Sequence, residues 1–476
     1  MRISRLALVL LLPAAFTGCR VGPNYARPAV NTPDAYRGLA PNLTAGAASS
    51  QSLGDEKWAD VFKDPVLREL IREALANNYD VKIAAQRILE QQDQLGITRA
   101  QQFPTVSGGG SYTAIGLPSG LVNGLNSGSS GSKVAQNYYD GGLSLSGAWN
   151  LDFWGLYRRQ TEAARAQLLA TEWGRRLTVS TIVENVATAY LHLRTLDAEL
   201  AITQKTLTSR RESLDLTQSL EHGGRATLAD VRQAEELVHS AAAAVPDFER
   251  QIEQEENGLS ILLGRDPGPI LRNAEPMTWP VPEEIPAGIP SQLLERRSDI
   301  QQAEAQLIAA NANIGAARAQ LFPQLAISGT GGTGTSQLKT LLNASNMYWY
   351  ASGSLTQSIF DAGRLRNNVR LTEAQKQEKV YAYRQSIQQA LRSVSDALIA
   401  TRKYRDYREE QVRVAAAAED ATRLARLRYS AGSTSYIEVL TNDTNFYSAQ
   451  LTVASAREQE AVSFVQLYSA LGGGWQ

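Results

Sequence analysis

Several short segments of the chain alternate between apolar and polar residues. Leu143, Leu145 and Trp149 occupy odd positions, with Ser144 and Ser146 among the polar residues between them. The alternation continues to residue 153 and recurs at 106–113, 325–330 and 349–359. A period of two over about ten residues predicts β-strands with one apolar face. Two interpretations stay open: a soluble sandwich that buries this face, and a membrane barrel that turns it to lipid and the polar face to a wet lumen.

A second pattern, with a period of seven residues, runs through segment 158–220. Its apolar positions are Val179, Val186, Leu193, Leu200, Leu207 and Leu214, and Val380, Ile387 and Val394 repeat it later in the chain. Sustained heptads predict long helices with coiled-coil packing. At 1.5 Å per residue, segment 158–220 would be roughly 95 Å long. The polar faces of these helices require an aqueous space. Pro246 interrupts the helix that returns from the first one and predicts a local kink.

The chain is a tandem repeat. The matched pairs are Arg99 with Arg318 and Pro104 with Pro323, 219 residues apart, and Gly155 with Gly363 and Gly224 with Gly432, 208 residues apart. Each copy contains a helix, two strand-like runs around a loop, and a long helix pair. The predicted order is a signal peptide (1–18), an extended arm (19–60), a first repeat (61–275) with a hairpin at 104–154, a Pro-rich connector (276–290), and a second repeat (291–476) with a hairpin at 323–361.

On the membrane interpretation, which the N-terminal signal described below favours, the two hairpins predict an α+β membrane protein with four strands per chain. Four strands cannot close a barrel by themselves, and an open sheet edge is not viable in lipid. Several copies of the chain must therefore contribute strands to one barrel. Alternation and the repeat thus predict an oligomer.

Composition excludes several classes of function. A net charge of -1 gives no basic face for nucleic acid, and one cysteine with three histidines argues against a zinc site. Gly329 to Gly334 match the GxGxxG pattern, but they begin in a predicted strand and no helix follows, as a dinucleotide site requires. We therefore expect no cofactor, no metal, no catalytic residue and no enzymatic activity.

The N-terminus resembles a bacterial lipoprotein signal. Arg2 and Arg5 precede a short apolar run, and Phe16-Thr-Gly-Cys19 is similar to a lipobox, although Phe16 replaces the usual leucine. The resemblance implies cleavage before Cys19, followed by S-diacylglycerol and N-palmitoyl attachment. The alternative is an ordinary signal peptide with an incidental cysteine. No stretch of about twenty apolar residues follows Cys19, so the chain contains no predicted transmembrane helix.

Four motifs carry a family resemblance. They are CRVGPNYARP from Cys19, RSDIQQAEAQLIAANANIGAARAQLFPQL from Arg297, IFDAGRLR from Ile359 and YSALGGGW from Tyr468. Together they resemble the outer-membrane efflux lipoproteins, the branch of the TolC-like family that serves resistance–nodulation–division (RND) pumps. The resemblance implies a homotrimer in the outer membrane with a shared twelve-stranded barrel and a periplasmic helical tunnel. It also implies a membrane-fusion adaptor and an inner-membrane RND transporter as partners, with passive efflux of drugs and other small molecules.

The same resemblance assigns roles to two helix turns and a gate. The adaptor-contact turns correspond to Gly224, Thr227 and Asp230, and to Gly432, Ser435 and Glu438. The family gate places a bulky apolar residue and, four residues later, an aspartate near the second turn. Ile437 fits the first position, whereas Thr441 stands in place of the aspartate and Asp443 lies nearby.

Two other functions remain compatible with the pattern. One is a structural or adhesive outer-membrane lipoprotein with a coiled-coil stalk. The other is an exit channel for type I protein secretion, although that branch usually lacks the lipobox and the GPNYxRP start. The residues do not identify the cargo, since a wide wet tunnel need not discriminate; selectivity would then belong to the transporter.

Overall fold

The computed structural model describes residues 20–38, 52–126, 137–272, 282 and 285–476. The predicted signal peptide and Cys19 lie outside the described residues, as do parts of the predicted arm and connector. Within the described part the chain divides into two compact units. The sheet unit falls within Met1–Pro28, Leu89–Leu169 and Ala305–Tyr381, and the helical unit within Ala29–Ile88, Ala170–Glu304 and Ala382–Gln476.

Helices make up most of the described residues. They are α1 (Trp58–Val61), α2 (Pro65–Asn77), α3 (Tyr79–Ala100), α4 (Ser119–Asn126), α5 (Leu156–His222), α6 (Leu228–Leu262), α7 (Leu293–Arg296), α8 (Ser298–Ala319), α9 (Arg364–Ser430) and α10 (Tyr436–Ala470). Short 3₁₀ turns cover Leu53–Asp55, Pro290–Gln292, Leu338–Thr340 and Ala344–Asn346. Helices α5 and α9 each have 67 residues, and α6 and α10 each have 35, so the duplication is also visible in the helix lengths.

The strands form one antiparallel sheet in the order β1-β2-β3-β4. They are β1 (Thr105–Gly116), β2 (Asn137–Leu151), β3 (Gln324–Thr335) and β4 (Met347–Thr356). Each hairpin of the repeat supplies two neighbouring strands, and β2 pairs with β3 across the repeat boundary. Strands β1 and β4 are the edges of this sheet.

The strand register separates apolar from polar side chains. Residues paired across an antiparallel sheet lie on the same face. One face collects Val106, Tyr112, Leu143, Leu145, Trp149, Leu151, Leu325, Ile327, Met347, Trp349 and Leu355. The other face is rich in hydroxyl groups, and Ser146 and Ser328 lie within hydrogen-bond distance of Thr330 and Ser352 respectively, at 3.1 and 2.8 Å. The predicted one-sided strands are therefore confirmed.

Two strands end earlier than the alternation suggests. Strand β2 stops at Leu151 because Asp152 accepts hydrogen bonds from the backbone N–H groups of Tyr157 and Arg158 at the start of α5. Asp361 does the same at the start of α9, through the N–H groups of Gly363 and Leu365. Phe153 and Ile359 consequently lie beyond the strands. The helix α4, in the loop of the first hairpin, was not predicted.

Four of the nine predicted heptad positions are buried in the helical unit: Val186, Leu193, Ile387 and Val394. The other five, Val179, Leu200, Leu207, Leu214 and Val380, are half-buried. The fully buried side chains around the heptad positions include Phe62, Leu67, Ile71, Tyr190, Leu191, Leu259, Leu263 and Tyr468. Pro246 lies inside α6, which is assigned as one helix on both sides of it. Among the residues that the structure describes, none of the helices combines the length and apolar composition that crossing a membrane requires.

Candidate functional site

Two tight turns of the helical unit carry the predicted contact residues. The first joins α5 to α6 and the second joins α9 to α10. Gly224 and Gly432 have φ values of +69° and +72°, a conformation that side chains other than glycine adopt at a cost. In each turn a backbone N–H donates back to a helix carbonyl, from Arg225 to Leu220 and from Ser433 to Arg428. Both turns thus reverse the chain in the same way.

Thr227 and Asp230 form a capping box in the first turn. The Thr227 hydroxyl accepts a hydrogen bond from the Asp230 N–H at 3.2 Å, and the Asp230 carboxylate accepts one from the Thr227 N–H at 2.8 Å. These bonds satisfy two backbone donors that would otherwise be free at the start of α6. The first turn is therefore stabilised by its own residues.

The second turn uses its equivalent residues differently. Ser435 precedes α10 but makes no side-chain capping bond. The Glu438 carboxylate accepts hydrogen bonds from Arg428 Nη1, at 2.6 Å, and from the Thr434 hydroxyl. Glu438 therefore connects the end of α9 to the start of α10.

The two turns lie side by side. Arg225 Nη2 donates to the Ser430 carbonyl at 3.4 Å. Behind the turns lies a buried cluster that consists of Ala234, Ala425, Tyr429, Tyr436 and Val439. The Tyr429 and Tyr436 rings meet edge to face at 5.3 Å between centroids, and burial raises the pKa of both hydroxyls. The cluster holds both turns together by apolar packing.

The three gate candidates occupy different environments. Ile437 is 53% exposed, and Thr441 is also exposed, with its hydroxyl donating to the Ile437 carbonyl at 2.8 Å. Asp443 is buried. Ile437 and Thr441 therefore share one exposed face of α10, whereas Asp443 points into the helical unit.

Asp443 lies between two arginines of other helices. Its Oδ2 accepts from Arg210 Nε of α5 at 2.7 Å, and its Oδ1 accepts from Arg426 Nη2 of α9 at 2.6 Å. The side chain of Arg210 is 4% exposed and that of Asp443 is 7% exposed. The Arg210–Asp443 pair is strongly shielded from water, and removing one partner of such a pair leaves the other charge buried without compensation.

Arg210 extends this ion-pair cluster to the fourth long helix. Its Nη1 donates to the Leu237 carbonyl of α6 at 3.1 Å, and its guanidinium lies 5.2 Å from the centroid of the Tyr447 ring. One cluster of charged groups therefore connects α5, α6, α9 and α10. Sequence reasoning missed it, since Arg210 and Asp443 are 233 residues apart and no local pattern distinguishes Arg210 from the other arginines of α5.

No candidate cofactor or metal site emerges from the described residues. Groups of three or more His, Cys, Asp or Glu side chains able to hold a metal are absent there. The GxGxxG stretch lies inside strand β3. His192 Nδ1 lies 2.8 Å from Glu458 Oε1, and this carboxylate raises the pKa of His192. Burial raises the pKa of the neighbouring Glu199 to about 6.

Comparison with known proteins adds a family match across most of the chain. The model of the outer membrane efflux protein family matches residues 70–265 and 289–473, one segment in each repeat. The solvent efflux pump outer membrane protein SrpC of Pseudomonas putida is 36% identical over 464 residues, which cover 96% of each chain. The cation efflux system protein CusC of Escherichia coli strain K12 is 32% identical over 463 residues, with 97% of each chain covered.

A solved structure agrees with this match. The open state of the outer membrane channel MtrE of Neisseria gonorrhoeae superposes with a TM-score of 0.84 at 28% identity. The similarity covers 96% of this chain and 99% of that channel.

Proposed function

This chain belongs to the outer membrane efflux protein family, and from that premise we propose that it is the passive exit duct of a tripartite efflux pump. The observation that carries the proposal is the four-stranded sheet, whose apolar face is exposed to solvent in the single chain. Val106, Trp349 and Leu355 are 69%, 82% and 69% exposed in the single chain. Such a surface needs a lipid or protein environment that one copy alone does not provide.

Three copies would complete the sheet as a twelve-stranded barrel. Strands β1 and β4 each have one edge without a partner within the described sheet. Joining β4 of one copy to β1 of the next satisfies these edges, as lipid requires. The apolar face then contacts lipid and the hydroxyl-rich face lines a wet lumen. The sandwich interpretation would instead require a second layer over the apolar face.

Native mass spectrometry of the detergent-extracted protein tests this arrangement. We expect three copies per particle. Cysteines introduced along β1 and β4 should form disulfides between copies and not within one copy. A water-soluble monomer extracted without detergent would refute the shared barrel and favour the adhesive-stalk alternative.

We further propose that Cys19 carries the lipid anchor. The lipobox-like segment before it supports this assignment, together with the sorting of family relatives to the outer membrane. Two or more acyl chains on one residue hold a protein in a membrane stably, where one is marginal. Mass spectrometry of the mature N-terminal peptide should show a diacylglycerol thioether and an N-acyl group; a free thiol would exclude the anchor.

The two helix turns are the proposed contact for a periplasmic membrane-fusion adaptor, which would connect the channel to an inner-membrane RND transporter. Gly224, Thr227 and Gly432 are exposed at the tips, and the apolar Leu228 next to them is 59% exposed. Photo-crosslinkers placed at Thr227 and Ser435 should capture the adaptor. The same crosslinker at the exposed Arg165, in the sheet unit, should not.

The exposed pair Ile437 and Thr441 is the proposed constriction. Thr441 provides a hydroxyl where the family resemblance implies an aspartate, so this constriction would lack a ring of negative charge at that position. Asp443 holds the helices together and does not line the passage, since its carboxylate is already paired with Arg210 and Arg426. We assign no catalytic role to any residue. Relatives named for solvents and for cations share this architecture, which supports selection of cargo by the transporter.

A further inference from the structure

Residues 20–24, which follow the proposed acylation site directly, occupy a closely fitted socket in the sheet unit. Arg159 of α5 is central to it, with a side chain only 1% exposed. Its Nε donates to the Val21 carbonyl at 3.2 Å, and its Nη2 donates to the Gly22 carbonyl at 3.2 Å and to Asn24 Oδ1 at 3.1 Å. Most of the N–H donors of this buried guanidinium thus form hydrogen bonds with the backbone and side chain of this short segment.

The socket also binds the segment from other sides. The Val21 N–H donates to the Trp154 carbonyl at 3.2 Å, and Asn311 Nδ2 of α8 donates to the Pro23 carbonyl at 3.0 Å. The segment is therefore hydrogen-bonded to α5 and α8, and to Trp154, which lies three residues after strand β2.

Glu162 balances the buried charge. Its Oε2 accepts from Arg159 Nη1 at 2.9 Å and from Arg20 Nη2 at 3.0 Å. The carboxylate therefore connects the buried arginine of the socket to the residue next to Cys19. A charged group removed from water is stable only with such partners.

Two glycines allow the segment to approach this closely. A Cβ atom on Gly22, which has φ of +99°, would lie 2.4 Å from the Cα of Gly315, and one on Gly315 would lie 2.7 Å from Arg159 Nε. Gly96 is the counterpart of Gly315 in the first repeat, 219 residues earlier. A Cβ there would meet nothing within 4 Å. Both repeats thus have a glycine at this position, but only Gly315 of the second repeat lies in contact with the N-terminal segment.

We propose that this socket is a positioning site for the lipid anchor, with Arg159 as its central positioning residue. The inference rests on the proposed acylation of Cys19. Two residues span at most about 7 Å, so the attachment point of the acyl chains at Cys19 can lie no farther than about that distance from the seated Val21, and the chains would enter the membrane beside the strands of the same copy. The anchor is then a fixed part of the sheet unit and not a loose tether.

Spin-label distances test whether the segment is seated. Because acylation blocks the Cys19 thiol, labels can be placed at A26C and R165C, two exposed positions of the sheet unit. In mixed oligomers that contain at most one labelled copy, the parent protein should give one narrow distance distribution. R159Q and G315A should broaden it, raising the unseated population at least about ten-fold, since they remove or displace charge-assisted hydrogen bonds. G96A is the matched control and should match the parent. Narrow distributions in both R159Q and G315A would overturn the socket.

A spacer distinguishes positioning from simple attachment. Inserting Gly-Ser-Gly-Ser between Arg20 and Val21 leaves residues 21–24 intact and lets the anchor move by up to about 14 Å. On protein whose acylation is verified by mass, we expect the spin-label distribution to stay narrow and the yield of oligomer in the outer membrane to fall several-fold. An unchanged yield would mean that the anchor only tethers the chain, and would overturn the proposal.

These outcomes are separable from the proposed function. If seated, acylated oligomers carry no current across a lipid bilayer, the exit-duct proposal fails and the socket stands. If the spacer variant assembles normally and conducts, the socket proposal fails and the exit duct stands.

Discussion

The two helix turns occupy equivalent places in the duplicated chain but are stabilised in different ways. In the first, Thr227 and Asp230 cap α6 locally. In the second, Ser435 caps nothing with its side chain, and Glu438 instead reaches back to Arg428. Both turns therefore have a hydroxyl residue and an acid at matched positions, 208 residues apart, but these side chains bond to different groups in each turn.

The difference extends to the charged groups behind each turn. The counterpart of Asp443 is Glu235, which pairs with Arg232 of its own helix at the surface. The counterpart of Arg210 is Ala418. The acid behind the first turn is thus paired within its own helix, while the acid behind the second turn is paired with arginines of two other helices. A turn held by contacts between helices can be released by breaking them, and we therefore expect the second turn to be the movable one.

Asn at position 443 should have the largest effect. D443N leaves Arg210 buried without its counter-charge, and we expect a loss of about 3–5 kcal/mol in stability of the helices behind the second turn. Hydrogen exchange should show faster exchange at the end of α9 and the start of α10. The matched change E235Q removes an exposed pair and should cost no more than about 1 kcal/mol. Equal effects of both changes would refute the asymmetry.

Alanine at the two turn glycines should have equal, intermediate effects. G224A and G432A each force a left-handed residue to carry a side chain, at about 1 kcal/mol. Neither Cβ would come closer than 3.4 Å to a neighbour, so the backbone conformation alone sets the cost. Hydrogen exchange at the adjoining helix ends measures the loss of stability in each variant. A much larger effect at one turn would show a packing constraint there that the geometry does not contain.

Removing the hydroxyl of Thr227 or of Ser435, which stand before α6 and α10, should again affect the two turns differently. T227A loses the bond to the Asp230 N–H and should destabilise the start of α6 by about 1 kcal/mol. S435A loses no such bond, so protection at the start of α10 should stay unchanged. An equal loss of hydrogen-exchange protection, at the start of α10 in S435A and at the start of α6 in T227A, would show that both turns are capped by their hydroxyls and refute this difference.

The smallest effect is expected for Glu438. Its pair with Arg428 is partly exposed, and such pairs contribute about 0–1 kcal/mol. E438Q should therefore change stability little in low salt and less in high salt, because salt screens exposed charges. A salt-independent loss comparable to that of D443N would place Glu438 within the ion-pair cluster of Asp443.

Local patterns were enough to predict the long helices and the strands of the fold, although not helix α4. The heptads around Val186 and Leu193 predicted the buried stripe of α5, and the alternation at Leu143 and Leu145 predicted the apolar face of the sheet. Both follow from the periodicity of one element. The strand end at Leu151 was missed because the Asp152 cap outweighs the alternation that continues to Phe153.

Contacts between distant parts of the chain could not be predicted in this way. Asp443 and Glu438 looked equivalent as acids near the second turn, yet one is buried between helices and the other lies at the surface. Gly315 looked like Gly96 and differs from it because the Arg159 side chain packs against Gly315, whereas nothing lies within 4 Å of a Cβ at Gly96. Each distinction depends on three-dimensional neighbours more than a hundred residues away, which residue spacing does not encode.

Planar-bilayer recording of the purified oligomer is the sharpest test of an exit channel with its constriction at Ile437. We expect discrete current steps, which become larger when Ile437→Ala widens the constriction. The change L228A, at an exposed apolar residue of the other turn, should leave the steps unchanged. Folded oligomers of the parent chain and of I437A that both fail to conduct would contradict this expectation.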